Sequence, residues 1–66
     1  MSATPIQLSK INSLVENNIN MSVEISGYMS NGSIGLKIQW SGERRYYLQT
    51  IDLNGNYVGD GVEVEF

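Results

Sequence analysis

Tyr28-Met29-Ser30-Asn31-Gly32-Ser33-Ile34-Gly35-Leu36 is the stretch that decides how this chain folds. Asn-Gly accepts positive φ at both central positions of a tight type I′ turn, whose twist suits a two-residue hairpin. Runs rich in β-branched and aromatic residues flank it, and these suit pleated, half-buried strands. A second pair, Asn54-Gly55, is set in the same way. With Ser41-Gly42-Glu43 between them, the turns divide the chain into a four-stranded antiparallel meander.

Turn length sets register. Counting outward from Asn31-Gly32 pairs Met29 with Ile34, Gly27 with Leu36, Ile25 with Ile38 and Val23 with Trp40 on one face. The other face pairs Tyr28 with Gly35, Ser26 with Lys37 and Glu24 with Gln39. A Gly42-Glu43 turn then pairs Trp40 with Arg45, Ile38 with Tyr47 and Ile34 with Ile51. The Asn54-Gly55 turn pairs Ile51 with Val58, Tyr47 with Val62 and Arg44 with Glu65. Both counts put Tyr47 and Ile51 on the apolar face, which leaves Tyr46 and Leu48 on the second face beside Lys37, Gln39 and Glu63. The strands are expected at about 21–30, 33–41, 44–53 and 57–66, with Val62, Val64 and Phe66 pointing inward. A three-residue middle loop would exchange the faces of Tyr47 and Ile51, and a bulge at Gly59-Asp60-Gly61 would alter the arrangement locally.

Upstream, Thr4-Pro5-Ile6-Gln7 is a helix start. Thr4 caps, Pro5 takes the first helical position, and Gln7 completes a capping box. Leu8, Ile11, Leu14 and Val15 recur at helical spacing over about 5–17. Asn17-Asn18 supplies a stop, with Ile19 packing back on the last turn. The expected fold is α+β, one N-terminal helix on a four-stranded antiparallel meander in the order 1-2-3-4, forming a single domain.

Composition narrows function by exclusion. The chain has 66 residues with no cysteine and no histidine, and its four basic and seven acidic residues give a net charge of -3. No disulfide can staple it, and its carboxylates do not cluster at ligand spacing, so no metal and no cofactor is expected. Small domains lacking both devices rely on a very good core or a partner chain. Self-association, with a dimer favoured, is therefore expected. The acidic balance works against broad nucleic-acid binding and against an anionic membrane surface. The first residues lack a basic stretch followed by an apolar one, which predicts a cytoplasmic protein (host cytoplasm if phage-encoded).

General acid–base chemistry near neutral pH most often uses histidine, and nucleophilic catalysis needs an activated group. The serines here have no evident base, so no catalytic residue is assigned and no enzyme is expected. Asp52-Leu53-Asn54-Gly55-Asn56 fails the pattern of a calcium loop. The glycines lack the spacing and the following helix of a phosphate cradle. What remains is Arg44-Arg45-Tyr46-Tyr47 with Trp40 and Lys37. Arginine beside aromatics serves protein hot spots and also single-stranded nucleic acid. A purely structural account instead lays Arg45 over Trp40 and pairs Arg44 with Glu65.

The expected function is a non-catalytic protein-binding module, in the form of a small phage-type inhibitor of a host enzyme or defence complex. Contact would run through the open sheet face or an edge strand, with Tyr28, Lys37, Arg44, Arg45, Tyr46 and Leu48 as partner-binding residues. A single-stranded nucleic-acid binder and a structural subunit of a larger assembly are the alternatives.

Overall fold

The structure is a computed structural model and describes residues 2–66. Helix α1 spans Pro5–Asn17, and strands β1 (Met21–Tyr28), β2 (Ile34–Trp40), β3 (Arg45–Ile51) and β4 (Tyr57–Glu65) follow. All neighbours pair antiparallel in one sheet ordered β1-β2-β3-β4, as expected. No helix among the described residues is long and apolar enough to cross a membrane.

The capping box at the helix start is complete: Thr4 Oγ1 accepts from the Gln7 backbone N–H at 3.2 Å, and Gln7 Oε1 accepts from the Thr4 N–H at 2.9 Å. The face turned to the sheet differs from the expected stripe. Gln7 is buried, Ile11 and Leu14 are half-buried, and Leu8 and Val15 are exposed. The helix stop is not left-handed either. Asn18 is extended at φ -140, its side-chain amide donates to the Leu14 carbonyl, and Ile19 is 94% exposed rather than folded back.

Gln7 explains its own burial. Its Nε2 donates to the Gly32 carbonyl at 2.9 Å and to the Asp52 carbonyl at 3.1 Å. One amide thus ties the helix start to the β1–β2 loop and the β3–β4 loop together. The two loops also touch each other, since Leu53 packs so closely on Gly32 that an added Cβ there would lie 2.8 Å from it.

Both Asn-Gly loops are one residue longer than type I′ hairpins. Gly32 N–H donates to the Met29 carbonyl, and Met29 N–H to the Ser33 carbonyl. Gly55 repeats this with Asp52, and Asp52 with Asn56. Only the glycines take positive φ, 88° at Gly32 and 78° at Gly55. This is a three-residue loop ending in a left-handed glycine, the next most common hairpin connection.

The extra residue moves register. In β1, Val23 faces Ile38 and Ile25 faces Leu36, and a bulge between Ile25 and Gly27 then brings Tyr28 opposite Ile34. The β2–β3 register is as expected, with Ile34 opposite Ile51 and Ile38 opposite Tyr47. Its turn sits one residue early, with Glu43 N–H donating to the Trp40 carbonyl. The core is the row Ile34, Leu36, Ile38 and Ile51, flanked by Ile11, Val23, Ile25, Trp40 and Tyr47.

Strand β4 is inverted relative to expectation. The longer loop sets Tyr57 opposite Ile51 and Val58 opposite Thr50. A bulge then restores pairing at Val62 opposite Leu48, Glu63 opposite Tyr47 and Glu65 opposite Arg45. One displacement shortens the count and the other lengthens it, so both halves of β4 change faces. Val62, Val64 and Phe66 do not point inward. Glu63 and Glu65 take the helix-side positions instead.

Candidate functional site

The open face of the sheet carries the side chains that the helix does not cover. From β2 come Gly35, Lys37 and Gln39; from β3, Thr50, Leu48 and Tyr46; from β4, Val58, Val62 and Val64, their directions fixed by the pairing. Val62 is 60% exposed and Phe66 is 59% exposed. Antiparallel sheets usually place the apolar residues of a strand on the packed side. Strand β4 does the reverse, with valines outward and glutamates on the helix side. The three-residue loop at Asn54-Gly55 sets this polarity, and the bulge, which adds two residues to β4, preserves it. Gly59 and Gly61 take φ of 76° and 77°, and the Gln49 amide, opposite them, donates to the Gly59 carbonyl at 3.3 Å.

The face has relief. At one end Tyr46 and Phe66 stack with ring centroids 5.9 Å apart and 38° between planes. At the other end lies a hollow of about 530 Å³, with Gly35 in its lining and Met29, Leu48, Val58 and Val62 among its walls. Gly35 keeps the sheet low here, because a Cβ would meet Ser26 Oγ at 2.8 Å. An ion pair lies on the β1–β2 side, where Lys37 Nζ is 3.7 Å from Glu24 and 4.6 Å from the Tyr46 ring centroid, and Asp60 of β4 adds a carboxylate to the lining of the hollow.

The six residues singled out from sequence do not form one site. Lys37, Tyr46 and Leu48 do come together on the open face. Tyr28 was expected to cover Gly35, but the β1 bulge pairs it with Ile34 on the helix-side row and sends Met29 to the hollow instead. Arg45 lies on the helix side opposite Glu65. Its guanidinium is held by Glu43 and Glu63, both at 2.8 Å, rather than over Trp40. The hydrogen bond to Glu43, then that to Glu63, raises its pKa above the ordinary value, so it stays a cation. Trp40 instead meets Tyr47 edge-on at 6.1 Å. Arg44 does not pair with Glu65; its carbonyl accepts from the Phe66 N–H at 2.9 Å just outside β3.

Sequence reasoning missed Met29, Val58, Val62, Val64 and Phe66 as members of the open face. What misplaced them was the length of the two Asn-Gly loops, three residues rather than two. A second depression, a cleft of about 400 Å³ beside the helix, has Leu14, Trp40, Tyr47 and Tyr57 in its lining. Lys10 Nζ lies 4.6 Å from the centroid of the Tyr57 ring. Comparison with protein-family models, with curated proteins and with solved structures returns no match.

Proposed function

We propose that this chain is a non-catalytic protein-binding module that works by surface contact through the open sheet face. The observation that carries this reading is the inverted polarity of β4, whose valines turn with Phe66 away from α1. The Asn54-Gly55 loop sets this polarity and the bulge with its two left-handed glycines preserves it, and an apolar row left in water lowers stability unless something covers it. Aromatic anchors beside an apolar hollow match the composition of protein hot spots. Without histidine or cysteine, the chain has little means for general-base or thiol chemistry. A phage-type inhibitor would need nothing more than such a surface.

The nucleic-acid alternative required Arg44, Arg45, Tyr46 and Lys37 together. Arg45 is on the opposite side and already neutralised by two glutamates, which weakens that reading. The test is affinity capture with the immobilised protein, comparing wild type with Leu48→Lys and with Val15→Lys on the outer face of the helix. Captured protein that is lost with Leu48→Lys and retained with Val15→Lys supports the proposal. Equal capture by all three, or tight binding of single-stranded oligonucleotide at low salt instead, overturns it.

A further inference from the structure

We infer that the occupant of the open face is a second copy of this chain, stacked face to face about a two-fold axis that runs across the strands. The inference rests on the reading of this face as a protein-contact surface and identifies the partner.

The face is self-complementary in one orientation. In a two-fold stack the axis lies between the sheets, and it runs either along the strands or across them. An axis along the strands puts like ends together, so the Tyr46–Phe66 projection meets its copy and the hollow over Gly35 meets its copy. It also lays β1 over β4 and β2 over β3. The Glu24–Lys37 ion pair would then press on Val62 and Leu48 of the other molecule. Stripping water from a charged pair against an apolar surface is costly.

An axis across the strands reverses both results. Opposite ends now meet, so the aromatic projection of one copy sits over the hollow of the other. Each strand lies over its own counterpart, so the apolar β3–β4 half covers the apolar half. Leu48 and Val62, which pair in the middle row, fall on the axis. Glu24 and Lys37 share that middle row, so each meets its own copy, and these like charges stay on the β1 side where Glu24 is 70% exposed and water screens them.

The area is sufficient. Four strands spaced about 4.8 Å apart, each about eight residues at roughly 3.3 Å, give a footprint of about 500 Å² in projection. Two such faces bury at least about 1,000 Å², the lower range for a specific interface. The chain also gains what it lacks, because among the described residues its buried apolar core is four side chains. Pairing through a self-complementary patch closes after two copies.

The experiment uses single cysteines, which are unambiguous in a cysteine-free chain. Leu48→Cys and Val62→Cys are each treated with a short bis-maleimide, beside Thr50→Cys and Asn12→Cys. Sedimentation velocity is run on wild type, Leu48→Lys and Val15→Lys across the micromolar range. The expected result is a wild-type dimer that becomes monomeric with Leu48→Lys and persists with Val15→Lys. Leu48→Cys and Val62→Cys give covalent dimers. Thr50→Cys does not, because two Thr50 positions lie about 14 Å apart along the strands, from two residues of rise on each side of the axis. A wild-type monomer throughout, or cross-linking through Leu48 without Val62, overturns the inference. Circular dichroism of Leu48→Lys shows whether a monomer is folded. A monomeric wild type whose capture of another protein is still abolished by Leu48→Lys would defeat the second-copy inference alone.

Discussion

Removing the Gln7 side-chain amide should cost about twice what the Thr4 cap is worth. Gln7 is fully buried, and its amide makes three hydrogen bonds, accepting from the Thr4 N–H and donating to the Gly32 and Asp52 carbonyls. Gln7→Leu keeps the volume and strands the Thr4 N–H and the Gly32 carbonyl, while the Asp52 carbonyl keeps the Gly55 N–H. Each buried polar group left unsatisfied costs about 1–3 kcal/mol, and partial access to water at the loops argues for the low end, so about 2 kcal/mol in all. Stability for a chain of this size is roughly 3–10 kcal/mol, so the loss is a large share. With a urea m-value near 1 kcal/mol/M, the midpoint falls by about 2 M at fixed protein concentration. Trp40 is the sole tryptophan and sits on the core, so its fluorescence reports the transition. Thr4→Ala removes the cap alone and should cost about 1 kcal/mol. If Gln7→Leu costs no more than Thr4→Ala, the tie between helix and loops is not stabilising and the reasoning fails. Gln7→Glu adds a pH test. Its carboxylate would face two carbonyl oxygens while buried, which raises its folded pKa above the usual ~4.3. A group raised in this way favours the folded state below its unfolded pKa and loses that contribution as pH rises. Gln7→Glu should therefore approach wild-type stability near pH 4 and fall furthest below it at pH 7.

Three further outcomes follow from the same geometry. Gly61→Ala meets a left-handed φ and a Cβ position that crowds Gln49 Oε1 and lies 3.2 Å from the Leu48 backbone carbonyl, whereas Gly42→Ala meets a left-handed φ with open space around it. The Gly42 change should cost about 1–2 kcal/mol and the Gly61 change clearly more, read as urea midpoints; equal losses would remove the clash from the account. Ile51→Ala empties a fully buried position opposite Ile34 and should cost about 2–5 kcal/mol, enough to unfold much of the population by circular dichroism. Arg45→Gln dissolves an exposed charge network, so any difference from wild type in the urea midpoint should vanish near 1 M salt, where the Debye length is about 3 Å. A difference that survives salt would mean that Arg45 acts through packing.

The parts of the fold legible in sequence were those fixed locally. Thr4, Pro5 and Gln7 lie within one turn, and their capping box forms as their spacing implies. The β2–β3 register was also readable, because Ile34 and Ile38 find Ile51 and Tyr47 whichever residue heads the turn. The Asn-Gly pairs located the hairpins but not their length. Asn31 and Asn54 tolerate left-handed backbone without requiring it, and one added loop residue inverts every side chain beyond it. In β1 the bulge near Ser26 keeps Val23 and Ile25 facing the helix and exchanges only Tyr28 and Met29. In β4 nothing cancels the inversion, so Val62 and Phe66 entered the open face unannounced. Lys37, Tyr46 and Leu48 of the proposed contact surface were visible beforehand because they rest on the β2–β3 register. The role of Gln7 was not, since its partners lie 25 and 45 residues away.

The two Asn-Gly loops also bear on how this protein ages chemically. Asparagine before glycine loses its amide when the glycine backbone nitrogen attacks the asparagine side chain and closes a succinimide ring. Here Gly32 N–H is committed to the Met29 carbonyl and Gly55 N–H to the Asp52 carbonyl. Asn31 Oδ1 is itself engaged by the Ser33 N–H at 3.0 Å. Both nucleophiles are withheld while the loops stay closed and released when they open. Conversion of Asn31 and Asn54 to aspartate and isoaspartate would then accumulate in proportion to time spent open, a chemical record of loop opening kept by the same residues that form the turns.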